Sequence, residues 1–341
     1  MFKIILSCLI GVAISFASVE AGTRILAELL GISPYMKYDE QIGWTAEPGS
    51  TKHHKDAGMG FDVVYHINSE GFRGPSYDLR KPAGVYRILV LGDSLGFGWG
   101  ISENKNFAML LDDKLNNVEV VNLSLSGYGT DQEYLRFLKE GVAYNPDLVI
   151  VQVTHNDFEE IMYPFFNQKP KPQFLVTEEG ALKLANVPVR PVGGRCQEFY
   201  DNSLPLPFKE WLGWHSYSYN LFNEKYFALK RKTSRSPSAV PAKEVLSRES
   251  RTLFKKIISQ LKNKLDEIGA KGIIVYSSKD LNEDGQFADI DLPTVNLYPQ
   301  FVEHSSKYSR ELFFKDGFHW NEEGHRLVAD ALTGIIAKYR P

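Results

Sequence analysis

The chain has 341 residues, 43% of them hydrophobic and 24% charged, enough to bury one large core or two small ones. Lys plus Arg number 39 against 42 Asp plus Glu, a net charge of -3, and no long basic run gives a nucleic-acid partner electrostatic support. The only two cysteines, Cys8 and Cys196, exclude a disulfide framework and a thiolate metal site.

Lys3 precedes an uncharged stretch from Ile4 to Val19, which Glu20 closes. Helical periodicity then continues through Ile25, Leu26, Leu29 and Leu30, bringing the apolar segment towards the ~20 residues that span a bilayer. Residues 1–32 are expected to form a signal-anchor or signal-peptide helix. Val19-Glu20-Ala21 reads as a small-residue cleavage site, but the uninterrupted periodicity favours an uncleaved anchor. Either version places the rest of the chain outside the cytoplasm, membrane-anchored or secreted to a periplasmic or extracellular space.

Residues 33–83 are rich in Gly, Pro, His and aromatics and read as an elaboration on the main domain, with one strand over Phe61–Ile67 ahead of a turn at Asn68–Gly71. From Tyr86 onward strands alternate with helices. Strands are expected at Arg87–Leu91, Val118–Leu125, Asp147–Val153 and Gly272–Tyr276, and helices at Asn106–Leu115, Tyr134–Val142, Val245–Ile268 and from Asn321 onward. Such alternation predicts a parallel sheet covered on both faces. Regularity lapses between about 163 and 241, where prolines are frequent and Trp211, Trp214, Tyr217, Tyr219 and Phe222 cluster; Ser234–Pro241 reads as a loop, and the stretch suits a lid or substrate wall.

Chemistry gathers at the strand ends. Ile88-Leu89-Val90-Leu91 runs into Gly92-Asp93-Ser94, which places a serine where a buried strand breaks into a tight turn. A hydroxyl becomes a nucleophile only when a base takes its proton. Asp316-Gly317-Phe318-His319 supplies an imidazole with a carboxylate three residues before it, the pair needed to fix its tautomer and stabilise its charged form. Either segment alone has an ordinary reading, a helix-capping serine or an Asp-Gly turn. Together they point to a serine hydrolase or acyltransferase. Gly127, after the second strand, and Asn156, after the third, are placed to donate hydrogen bonds to a developing oxyanion, Asn156 through its side-chain amide.

Gly92-Asp93-Ser94, Gly127, Asn156-Asp157 and Asp316-Gly317-Phe318-His319 occur in the order of the four blocks of the SGNH, or GDSL, hydrolase family, which the chain resembles from about Tyr86 to its end, the insertion apart. The resemblance implies a flavodoxin-like three-layer α/β/α sandwich with a parallel sheet. It further implies Ser94 as nucleophile, Asp316 and His319 as its activating pair, and an oxyanion hole formed by the Ser94 and Gly127 N–H groups and the Asn156 side chain. It implies residues 84–341 as the hydrolase domain, no cofactor or metal, and an acyl ester, lipid or acylated glycan, as substrate. Two positions depart from the pattern: Thr154 stands where glycine is usual, and Trp320 follows His319 where proline is common and is placed to line the pocket. His155 is expected to be packed or solvent-facing.

The α/β-hydrolase nucleophile elbow fits Gly92–Gly96 but requires several strands before its serine. The glycines at 96, 98 and 100 lack dinucleotide-binding spacing. His53, His54 and His66 lack a carboxylate ligand pattern. Within the family, an esterase that passes the acyl group to water is favoured over an O-acetyltransferase that passes it to a polysaccharide hydroxyl. A non-catalytic glycan-binding module ranks last, because every expected catalytic residue is present.

Overall fold

A computed structural model describes residues 2–29, 35–166, 169–189, 248–278, 289–308 and 311–340, with isolated positions between 212 and 222 and at 281 and 287. In chain order the elements are α1 (Phe2–Leu29), β1 (Met36–Asp39), β2 (Gly43–Ala46), β3 (Thr51–Asp56), β4 (Phe61–His66), β5 (Tyr86–Leu91), α2 (Ser94–Phe97), α3 (Phe107–Lys114), β6 (Val118–Asn122), α4 (Thr130–Lys139), β7 (Leu148–Gln152) and α5 (His155–Glu160). There follow β8 (Phe165–Phe166), β9 (Lys169–Pro170), β10 (Gln173–Val176), β11 (Leu182–Ala185), α6 (Arg248–Ile268), β12 (Lys271–Tyr276), β13 (Thr294–Asn296), α7 (Tyr298–Tyr308) and α8 (Glu322–Ile336).

Five strands form one parallel sheet in the order β13-β12-β7-β5-β6. Taking β5 as the first strand, this is the 2-1-3-4-5 order of a flavodoxin-like fold, whose switch point lies between β5 and β7. The central strands are apolar on both faces, as a doubly covered parallel sheet requires. Leu89, Leu91, Val149, Val151 and Ile274 face a core closed by α4 and α6; Ile88, Val90, Leu148, Ile150 and Val275 face a second core closed by α3, α7 and α8. The result is a three-layer α/β/α sandwich.

Residues 35–67 build two antiparallel hairpins, β1–β2 and β3–β4. Trp44, Phe61, Val63 and Tyr65 from these hairpins share an apolar cluster with Phe97, Leu125 and Tyr128 of the sandwich. The expected strand at Phe61–Ile67 is β4; its partner β3, in which polar and charged residues alternate outward, gave no apolar signal. The first part of the 163–241 region forms the small hairpins β8–β9 and β10–β11. Trp211, Trp214, Tyr217, Cys196 and the Ser234–Pro241 loop lie outside the described residues.

Helix α1 carries a span from Leu6 to Leu26 with mean hydropathy 1.6, long and apolar enough for a membrane span or a signal sequence. Its Glu20 carboxylate accepts hydrogen bonds from Ser216 Oγ at 2.9 Å and the Ser218 N–H at 3.1 Å.

Candidate active site

Every strand end that bears on the site lies along one edge of the sheet. Asp93 N-caps α2 by accepting the Leu95 N–H at 2.8 Å, leaving Ser94 at the first helical position and part-exposed. The turn fits because Gly96 has no side chain: a Cβ there would lie 2.3 Å from Ser124 Oγ. Its N–H instead donates to Gln152 Oε1 at 2.9 Å, fastening the turn to the end of β7.

Asp316 and His319 arrive on the loop before α8. Asp316 Oδ1 accepts the backbone N–H groups of Phe318 at 3.0 Å and His319 at 3.1 Å, while its Oδ2 meets His319 Nδ1 at 2.6 Å. One carboxylate therefore shapes the turn and aims the ring. His319 Nε2 lies 2.9 Å from Ser94 Oγ, completing a continuous Asp316–His319–Ser94 chain across 225 residues of sequence. Partial burial pushes the Asp316 carboxyl up, but the His319 ring and the two backbone N–H groups outweigh it and hold it below the usual range. An ionised carboxylate on Nδ1 directs that nitrogen's proton away from Nε2 and leaves Nε2 as acceptor.

Gly127 adopts φ +82°, a backbone state that favours glycine, and a Cβ there would lie 2.7 Å from Phe166 and 3.6 Å from Trp44. Asn156 sits in the first turn of α5. Its Nδ2 donates to Glu160 Oε1 at 2.7 Å and approaches Asp93 Oδ2 only at 3.4 Å, so one of its two N–H groups has a good partner and the other a poor one. Thr154 Oγ1 reaches Asp93 Oδ2 at 3.0 Å and also meets Asn156 Oδ1. The hydroxyl at the position where glycine is usual therefore couples the Asp93 cap to the Asn156 amide.

Two sequence expectations change. Trp320 does not line a pocket: it is 1% exposed, donates from Nε1 to Ser277 Oγ at 3.0 Å and packs on Phe107, Phe301 and His325 inside the core. The helix expected at Tyr134–Val142 begins earlier, at Thr130, because its first turn is polar yet buried. His155 is half-buried with its ring edge-on to Phe318 at 5.5 Å. His325, close to the site, is buried, accepts the Phe107 N–H at 3.2 Å and is driven down to about 3, so it stays uncharged.

Behind Ser94 and Asn156 lies a group of buried acids that sequence reasoning missed: Asp93, Asp131, Glu133, Asp157 and Glu160. Asp131 pairs with buried Lys171. Both carboxyl oxygens of Glu133 lack a partner among the described residues. Burial, reinforced by the charge of Asp157 and Asp93, pushes Glu133 well above the usual carboxylate range; burial likewise raises Asp157 and Glu160. The available signal was Thr130-Asp131-Gln132-Glu133, four polar residues directly after a strand-end glycine run.

A raised folded-state pKa means that Glu133 favours folding fully below its unfolded pKa and loses that contribution as pH rises through the folded one. Glu133→Gln is therefore expected to melt at a higher temperature than the parent at about pH 8 and at nearly the same temperature at about pH 4. Melting curves across that range check it; a constant offset at all pH values would refute the protonation argument.

Residues 90–186 match the sequence model of the GDSL-like lipase/acylhydrolase family. The matched stretch contains Ser94, Gly127 and Asn156, while Asp316 and His319 come from beyond it. None of the curated proteins matches the chain. Among solved structures, it is similar to a GDSL-like lipase from Bacteroides thetaiotaomicron (13% identity, 76% of this chain and 93% of the other, TM-score 0.40). A psychrotrophic esterase from Pseudoalteromonas sp. is similar at 14% identity over 74% of this chain and 97% of the other, with TM-score 0.39. A lipase/acylhydrolase from Enterococcus faecalis is similar at 16% identity over 74% and 95%, with TM-score 0.37. These are distant likenesses, and the chemistry is read from this chain's own side chains.

Proposed function

We propose that the protein is a serine esterase that cleaves an acyl ester through a covalent acyl-Ser94 intermediate. The observation that carries this reading is the unbroken chain from Asp316 through His319 to Ser94 Oγ, with links of 2.6 and 2.9 Å. His319 takes the Ser94 proton as Oγ bonds to the ester carbon, and returns it to the departing alcohol oxygen as the ester bond breaks. Water then repeats the sequence: His319 deprotonates it, it attacks the acyl carbon, and Ser94 leaves with the proton. Asp316 stays ionised throughout and stabilises the imidazolium.

The carbonyl oxygen becomes an oxyanion in both halves, and its donors in this reading are the Ser94 N–H, the Gly127 N–H and Asn156 Nδ2. Supporting this, neither backbone N–H has a partner among the described residues, and one Asn156 N–H is poorly engaged. A panel of 4-nitrophenyl esters of rising chain length, run with and without soluble glycans, tests the activity. Release of the free acid supports hydrolysis; acyl transfer to the glycan in place of water would convert the reading to an O-acetyltransferase.

In this reading residues 1–32 form a membrane anchor, 33–83 an elaboration that closes one side of the site, and 84–341 the hydrolase domain, acting outside the cytoplasm. Lys3 at the start of α1 favours a cytoplasmic N-terminus, with Glu20 and Arg24 at the far interface. Glu20 and Arg24 pair at 2.8 Å, four residues apart, which suits a charged helix exit. Membrane fractionation with external protease is expected to find the hydrolase domain in the membrane fraction and digestible from outside. Soluble protein beginning at Gly22 would mean a cleaved signal peptide, and protection inside the cell would refute export altogether.

A further inference from the structure

We propose that Trp99 is a positioning residue for His319, and that the β3–β4 hairpin holds it in that place. The inference rests on reading His319 as the general base. Two hydrogen bonds hold His319 at its edge, at Nδ1 and Nε2, and neither touches a face of the ring. Trp99 covers a face: the indole stacks on the imidazole at 4.2 Å between centroids and 29° between planes. Phe318 closes the ring edge-on at 4.9 Å.

The indole itself is clamped. Phe61 at 4.8 Å, His54 at 5.5 Å and Phe314 at 6.1 Å meet it edge-on, two of them from the hairpin. The Trp99 N–H donates to Ser94 O at 2.9 Å, and the next N–H, of Gly100, donates to the Tyr65 hydroxyl at 2.7 Å. Gly100, at φ +75°, leaves no room for a side chain: a Cβ would lie 2.9 Å from both Phe61 and Phe314. The same short segment thus links the nucleophile's own carbonyl, the hairpin and the base.

The stack acts unequally along the reaction. An aromatic face attracts a cation more than a neutral ring. His319 is neutral before it takes the Ser94 proton and charged afterwards, so the indole favours the state that follows proton transfer. The groups around the imidazole are consistent with this. Asp316 holds Nδ1, Ser94 meets Nε2, and Asp93 and His325 lie within electrostatic reach. His54, edge-on to the indole, is pushed down chiefly by burial.

The test is the rate at which a fluorophosphonate labels Ser94, which needs the base but not the natural substrate. Trp99→Leu fills space without an aromatic face; it is expected to lower the maximal labelling rate about 10- to 30-fold while leaving the half-saturating concentration within about twofold. Trp99→Phe is expected to keep the rate within about threefold of the parent. Parent-like labelling in Trp99→Leu, or equal loss in Trp99→Phe and Trp99→Leu, overturns the proposal. If Trp99→Leu does not fold, Phe61→Leu, which loosens the clamp, is expected to slow labelling about threefold, and no slowing overturns the proposal. His319→Ala run alongside separates the two levels. Parent-like labelling there removes the general-base reading itself, whereas an inert His319→Ala beside a normal Trp99→Leu removes only the role of Trp99.

Discussion

Replacing Ser94 or His319 by alanine is expected to lower kcat for ester hydrolysis by at least roughly 10⁴-fold, with KM changed little, because the two side chains act only in the bond-making steps. The warrant is the 2.9 Å contact between His319 Nε2 and Ser94 Oγ. Asp316→Ala is expected to cost less, since an imperfectly oriented His319 still accepts a proton. The double variant Ser94→Ala/His319→Ala is expected to be no worse than either single one, as groups that work as a unit are not additive. Steady-state kinetics on the four proteins check this. Additive losses would mean that the serine and the histidine serve separate steps, and the chain from Asp316 to Ser94 would lose its meaning.

Asn156→Ala is expected to reduce kcat by roughly 10²- to 10³-fold while KM moves little, the effect of removing one donor to a charge that exists only in the transition state. The side chain also donates to Glu160, so the variant leaves Glu160 Oε1 without that partner. Thermal unfolding therefore accompanies the kinetics: a fall in kcat in a protein that melts like the parent supports the oxyanion role. Full turnover in that variant would require another donor, and the Thr154 loop would be the place to seek it.

The layout of the sandwich was legible because its central strands are almost wholly apolar. Ile88–Leu91, Leu148–Gln152 and Ile273–Tyr276 are buried between two helical layers, and that continuity distinguishes a doubly covered parallel strand from an amphipathic one. The edge strand β13 escaped notice because Thr294-Val295-Asn296 is three residues long and has neither a run nor an alternation. Helix α4 was read as starting at Tyr134 because periodicity follows apolar residues, whereas its first turn buries Asp131, Gln132 and Glu133 against the site.

The site shows the same division. The contacts that join Ser94, His319 and Asp316 were legible as two short motifs, since a turn that exposes a reactive group restricts its neighbours to few residue types. Trp99 was not. In sequence it is an aromatic residue between two glycines, and its place on His319 follows from β3–β4 folding over the turn, a long-range event without a local signature. Trp320 was misread for the converse reason: adjacency to His319 in sequence suggested adjacency to the pocket, but consecutive residues at the Phe313–Trp320 bridge point to opposite sides and the indole turns into the core.

The most direct test of the account is to trap the acyl-enzyme. The protein is mixed with a rapidly reacting 4-nitrophenyl ester, quenched in acid within the first turnovers, digested, and its peptides weighed by mass spectrometry. One acyl group is expected on the peptide containing Ser94, and none on the same peptide of Ser94→Ala. Sustained hydrolysis by the parent with the acyl group on any other residue, or undiminished hydrolysis by Ser94→Ala, would contradict it.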